Sequence, residues 1–270
     1  MDGLRASGRS PGHNAQHLIL EGGSQMGKTG VAIELLRPLR NLVIVDTKHE
    51  GEFDALGPVT EDPLEVLRRP VCIFHPPRVC LKRWKRDWSD PWSLLLHYVL
   101  TVRARTGVTL YVDELRTAMP LDPHPLLADA VTEGMGKGVG VWGGTQGPSG
   151  VFPPMLDFAV WWLLFCILPA QQRGVIQSSI GVQVFDELAD LERFQFLLWR
   201  QGWKHTTGPW TRDDVRRAIR GGKVLETAAA PATGNGPVTS PEAASGNMFP
   251  SGDGSLRAEH GAQEGVAEAG

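Results

Sequence analysis

Short apolar runs alternate with segments of helical spacing over residues 17–200, and that alternation predicts an α/β fold. Runs at 17–20, 41–46, 71–74, 108–113, 139–144 and 158–167 read as strands. Most are apolar throughout rather than every second residue, as strands buried on both faces of a parallel sheet are. Apolar positions three and four apart predict helices over 28–37, 62–68, 91–104 and 124–136, with a further helix near 184–193. Phe194–Trp199 reads as a last strand. Helices between parallel strands imply right-handed crossovers and a mostly parallel central sheet flanked by helices. Chemistry is then expected at the carboxyl ends of the strands.

The first strand runs into Gly22-Gly23-Ser24-Gln25-Met26-Gly27-Lys28-Thr29, which fits the phosphate-loop pattern G-x-x-x-x-G-K-T at every position. Glycines let the backbone approach phosphate oxygens closely, and the first amides of the helix that follows point at the anion. Lys28 is expected to reach the β- and γ-phosphates of ATP, and Thr29 to place its hydroxyl on Mg²⁺. The strand–loop–helix order around the motif is the context this chemistry requires.

Three further strand ends carry polar residues. Thr109-Leu110-Tyr111-Val112 ends in Asp113-Glu114. Asp113 is expected on the metal, directly or through water, and Glu114 on the water that attacks the γ-phosphate. Val43-Ile44-Val45 ends in Asp46-Thr47-Lys48, where Asp46 and Lys48 would flank the same crevice and position the nucleotide. Val139–Thr145 ends in Gln146, whose amide can both donate to the γ-phosphate and accept from water, the bonding of a hydrolysis sensor. A guanidinium is also wanted for the developing charge, in cis or from a neighbouring subunit. Arg173 is the first choice, with Arg103 and Arg105 as rivals.

Composition narrows the class. At 270 residues the chain can bury one substantial core, and a net charge of −3 offers no general attraction for nucleic acid. Three cysteines without a C-x-x-C pair suggest neither a disulfide frame nor zinc. The polar first 16 residues show no signal sequence and are expected to be flexible, ahead of a domain over 17–226. From Thr227 onward the chain is rich in Ala, Gly, Ser and Pro, with five acidic residues against one arginine, so 227–270 is expected to be a disordered tail. The apolar run Phe158–Leu168 is too short to span a bilayer as a helix, which leaves a soluble protein without a transmembrane segment.

Two basic segments invite a DNA reading. Arg78, Lys82, Arg83, Lys85 and Arg86 interleave with Trp84 and precede Trp88 and Trp92. They form a backbone-gripping surface, a solvated stretch docked by its tryptophans, or a contact for capsid or viral membrane. Arg212, Arg216 and Arg220 share a helical face that is either a DNA or subunit-docking surface or a plain polar one.

Together Gly22–Thr29, Val45–Lys48, Leu110–Glu114 and Gly144-Thr145-Gln146-Gly147-Pro148-Ser149 resemble the FtsK–HerA group of ring-forming DNA-pumping ATPases. The resemblance is closest to the genome-packaging ATPases of membrane-containing, double-jelly-roll viruses. The sequence departs from the group's pattern at Gly147, where a basic residue is usual, and at Thr47, where proline is commoner. The resemblance implies a RecA-like P-loop NTPase core and a homo-oligomeric ring, usually a hexamer. It also implies ATP sites between subunits, a finger arginine placed as Arg173 is, and double-stranded DNA through the centre. Packaging into a preformed capsid would involve a capsid or viral membrane protein at the packaging vertex, in the virion or the host cytoplasm. The alternatives are a cellular or plasmid DNA pump or helicase of the same group, a nucleotide-binding assembly scaffold with little turnover, and a metabolite kinase.

Overall fold

The computed structural model describes residues 15–77, 90–166, 170–181 and 185–220. The basic–tryptophan stretch up to residue 89, most of the N-terminal segment and the tail from 227 lie outside the described residues. Nine strands form one sheet: β1 (His17–Glu21), β2 (Leu42–Val45), β3 (Val59–Thr60), β4 (Val71–Phe74), β5 (Val108–Val112), β6 (Val139–Thr145), β7 (Ala159–Phe165), β8 (Gln195–Arg200) and β9 (Thr207–Thr211). Their spatial order is β3-β4-β2-β5-β6-β1-β7-β8-β9. β1 to β7 run parallel, and β8 is antiparallel to both neighbours. The longer helices are α1 (Lys28–Leu36), α2 (Pro91–Thr101), α3 (Pro125–Thr132), α4 (Ala170–Ile180) and α5 (Arg212–Arg220).

Every strand but the edge strands β3 and β9 buries both faces, because successive side chains point to opposite sides. Leu18, Leu20, Ile44, Ile73, Trp161 and Leu163 meet α1 and α5 on one side. Ile19, Val45, Phe74, Leu110, Val112 and Trp162 meet α2 and α3 on the other. Two layers of helix around a two-faced sheet therefore explain the unbroken apolar runs, β7 included. Among the described residues no helix is long and apolar enough to cross a membrane. Even His17 is fully buried: its Nδ1 accepts from the Val141 amide and its Nε2 faces the Val131 carbonyl at 2.8 Å. Burial lowers its pKa to about 4, so the ring is neutral and donates through Nε2.

The elements differ from the sequence expectation where local chemistry is strong or amphipathicity weak. Helix α2 starts where Asp90 accepts from the amides of Trp92 and Ser93, with Pro91 in the first turn. The helix expected over 124–136 breaks at Glu133 into α3 and a short turn, Gly134–Lys137, whose two glycines weaken it. The strand expected from Phe158 begins one residue later, because Pro153 and Pro154 open a helix that runs to Phe158. The segment around Arg173, for which the sequence pattern predicts no element, is α4; only Ile176 and Ile180 on it are buried, too sparse a pattern to stand out. Strand β9 was not expected either: it holds Gly208 and Pro209, which an edge strand tolerates.

Helix α5 settles the reading of its arginines. The Glu34 carboxylate on α1 is buried, and its Oε1 accepts from Arg212 Nη2 and Arg216 Nη2, each at 2.8 Å. These two arginines clamp α5 to α1 rather than present a free basic face. The Arg216 hydrogen bond, opposed by burial and helped by Arg212, depresses the Glu34 pKa to about 2. Glu34→Gln is expected to cost about 1–3 kcal/mol at neutral pH, a buried ion-pair loss discounted for half-exposed arginines, measured by urea denaturation. Because the folded-state pKa is depressed, the wild-type advantage is full above the ordinary value of 4.5 and disappears as pH falls toward about 2.

Candidate nucleotide site

β1 ends at Glu21 and α1 begins at Lys28, so the six residues between must turn the chain over the strand ends. The Gly22 amide donates to the Thr145 carbonyl and the Gly23 amide to the Cys166 carbonyl, rooting the loop between β6 and β7. A Cβ on Gly22 would lie 2.5 Å from Phe165 Cβ, so glycine here is required by the neighbouring strand as well as by any ligand. Gly27 caps α1 at φ 93°, a left-handed conformation that glycine takes without strain. Lys28 folds back over the loop, its Nζ donating to the carbonyls of Gly22 (2.6 Å) and Gly23 (2.7 Å). Burial pulls the lysine pKa down, and the carboxyls of Glu21 and Glu114 oppose it.

The loop roofs a cavity of about 500 Å³, a size that suits a nucleotide-sized ligand. Ser24 to Thr29, Lys48, Asp113, Glu114 and Gln146 all line it, so three strand ends and the loop converge as the sequence pattern predicts. Asp113 is buried, with Lys48 Nζ 3.1 Å from its Oδ2. Burial raises the Asp113 pKa, Lys48 opposes that, and Asp46 and Glu52 add to it. Glu114 is half-buried and its Oε1 has no hydrogen-bond partner among the described residues. Burial raises its pKa as well; Lys48 and Lys28 oppose and Asp113 adds. Such a carboxyl is poised to accept a proton.

Asp46 is placed differently. Its carboxylate is buried and does not line the cavity: Oδ1 accepts from the amides of Lys48 and His49, and Oδ2 lies 3.3 Å from His75 Nε2. It shapes the turn that aims Lys48 at Asp113, so the cavity receives the lysine and not the aspartate. The rival arginines also resolve. Arg103 is buried and its guanidinium is spent on the carbonyls of Val66, Arg69 and Pro70 and on Asn41 Oδ1. Arg105 stands just ahead of β5, at the amino end of that strand, whereas the cavity lies at the carboxyl ends. Arg173 sits on α4 and does not line its own chain's cavity. Its neighbour Gln172 bridges to the loop after β6, donating to Ser149 Oγ at 2.7 Å and accepting from the Ser149 amide at 3.2 Å. A Cβ on Gly147 would come within 3.1 Å of the Gln172 amide, which gives the unusual glycine a packing reason.

The donor set suits Mg²⁺. A carboxylate at Asp113 and a hydroxyl at Thr29 are hard oxygen ligands lining one cavity, and Mg²⁺ is commonly held by one or two such groups plus phosphate and water. The Lys48 ammonium beside Asp113 shows that this carboxylate already attracts a cation. Bound there, the ion would neutralise charge on the β- and γ-oxygens.

Sequence reasoning missed several cavity or near-cavity residues, Glu21, Glu52, Arg193 and Phe194 among them. Glu21 is fully buried beneath the loop, with both carboxyl oxygens lacking a hydrogen-bond partner among the described residues. Burial drives its pKa far upward, toward the protonated form, with Lys28 opposing. Glu52 stands on the cavity wall, and Arg193 and Phe194 line it from the start of β8. The signal at Glu21 was visible, a lone acid ending an apolar strand, but its burial depends on β6 and β7 closing over it.

The sheet order, the loop and the cavity at the strand ends define a RecA-like P-loop NTPase fold. The chain is similar in structure to the genome packaging NTPase B204 from Sulfolobus turreted icosahedral virus 2 in complex with sulfate, with a TM-score of 0.60 and 16% identity over 72% of this chain and 95% of that one. With the same protein in complex with AMPPCP the TM-score is 0.59 at 16% identity, over 73% of this chain and 97% of that one. The bacterial conjugative coupling protein TrwBdeltaN70 matches at TM-score 0.50 and 12% identity, over 75% of this chain and 87% of that one. No family model matches the chain, and no curated protein matches it in sequence.

Proposed function

We propose that this chain is an ATP-driven translocase of double-stranded DNA, of the FtsK–HerA type, that packages a viral genome into a preformed capsid. The observation that carries the proposal is the meeting of the 22–29 loop, Asp113, Glu114 and Gln146 in one cavity. In it Lys28 and the α1 amides hold the triphosphate, and Thr29 and Asp113 hold Mg²⁺. Glu114 accepts the proton of the attacking water, and Gln146 orients that water and reads the γ-phosphate. The fold shared with a protein described as a genome packaging NTPase supports the viral role, and the fold shared with a conjugative coupling protein supports DNA transport more broadly. In a homo-oligomeric ring, most simply a hexamer, Arg173 would reach the neighbour's site. The Gln172–Ser149 bridge would tie its helix to the sensor loop. The partners are duplex DNA and a capsid or viral membrane protein at one vertex, in the virion or host cytoplasm.

ATPase rate measured against duplex length at low salt tests this reading. A translocase turns over faster as the duplex lengthens, and the stimulation falls steeply with salt because phosphate contacts release counterions. ATP binding with negligible turnover on any DNA would instead leave a nucleotide-binding scaffold.

A further inference from the structure

At the entrance to β8, opposite the phosphate loop, the chain does something that packing alone does not call for. Phe194 takes φ 71°, a left-handed conformation that a bulky side chain avoids. Its side chain is not tucked away in return: the residue is 50 % exposed, against 40 % for Phe158, the next most open phenylalanine among the described residues. One edge of the ring faces Gly27, where an added Cβ would lie 2.9 Å from Cδ1. The Arg193 guanidinium covers one face at 4.7 Å from the ring centroid, and its Nε reaches the Gln25 carbonyl at 3.4 Å. An aromatic plane is thus braced from the loop and held at the cavity wall, one residue from Lys28 and the first amides of α1.

We infer that Phe194, braced by Arg193, is the platform on which the base of the bound nucleotide stacks. The inference rests on the cavity being the triphosphate site, and it adds how the nucleoside half is held. Gly27–Thr29, Arg193 and Phe194 line the same cavity, so a triphosphate held at the loop keeps its nucleoside within reach of the ring. An aromatic ring backed by a guanidinium is a surface suited to a planar heterocycle. Stacking reads a ring face and not an edge pattern, so the substrate class is nucleoside triphosphates with little choice among purines. Phe194 is the contact residue, and Arg193 is a positioning residue for the ring.

Calorimetric titration of the full chain with two probes, ATP and inorganic tripolyphosphate, tests this. Phe194→Ala is expected to weaken ATP about tenfold to hundredfold, the loss of one base–aromatic stack, and to change tripolyphosphate less than about twofold. Phe194→Trp is expected to keep ATP affinity within about threefold. Equal losses for both probes in Phe194→Ala would show that the ring only props the loop at Gly27 and would overturn the inference. So would an unchanged ATP affinity, or a wild-type preference of ATP over GTP above about a hundredfold. A wild-type chain that binds tripolyphosphate as tightly as ATP would remove the platform and leave the phosphate site standing. One that binds neither would remove both.

Discussion

Glu114→Gln is expected to lower ATP turnover about 10²–10⁴-fold while nucleotide affinity stays within about threefold. The substitution keeps the shape and volume at the end of β5 and removes the negative charge together with the capacity to take a proton. Glu114 lines the cavity with an oxygen that has no hydrogen-bond partner among the described residues, so the amide disrupts no observed contact of that oxygen. Losing a negative charge near the triphosphate favours binding slightly, which separates this variant from one that fails to hold ATP. The pH profile gives a second readout. Burial, reinforced by Asp113, raises the Glu114 pKa above its ordinary 4.5, against the pull of Lys48 and Lys28. A base works deprotonated, so the acid limb of wild-type turnover is expected above pH 4.5, with activity lost as pH falls through it. That limb is expected to vanish from the variant's residual rate. Turnover above a tenth of the wild-type rate would remove Glu114 from the chemistry.

Lys28→Met is expected to weaken ATP at least about a hundredfold and to bring turnover to background, because charge-assisted hydrogen bonds to phosphate are worth about 1.5–3 kcal/mol each. Methionine keeps an unbranched side chain one atom shorter than lysine and favours a helix, so α1 should still start where it does. What is lost is the ammonium that now spans the Gly22 and Gly23 carbonyls. Those carbonyls would turn to water, and Glu21 and Glu114 would lose the cation that offsets them. Equilibrium binding of a fluorescent ATP analogue, with far-ultraviolet dichroism as the fold check, measures this. Unchanged affinity in a folded variant would take the triphosphate out of this cavity.

Much of the site was legible before any coordinates. The strand tips at Asp113, Lys48 and Gln146 could be placed together because parallel strands joined by right-handed crossovers must deliver their carboxyl ends to one edge. Side-chain direction was not legible in the same way. Asp46 and Lys48 are two residues apart, yet only the lysine reaches the cavity, since the aspartate is consumed by the turn's own amides. Arg103, a rival finger arginine in the sequence, plugs three carbonyls supplied by the short helix Glu65–Arg68 and the residues just after it. The arginines of α5 formed the expected helical face, but a single buried carboxylate on α1 claims two of them.

By itself the sequence determined the phosphate loop, the α/β alternation, the mostly parallel sheet and the three polar strand tips. Those are properties of short segments, where periodicity, glycine and strand chirality act locally. Tertiary structure alone decided that Glu21 lies fully buried beneath the loop, that Gln172 holds the loop after β6 through Ser149, and that Phe194 meets Gly27. Each of these joins residues far apart in the chain, and no local pattern encodes a contact that exists only once β6, β7 and β8 have docked around β1.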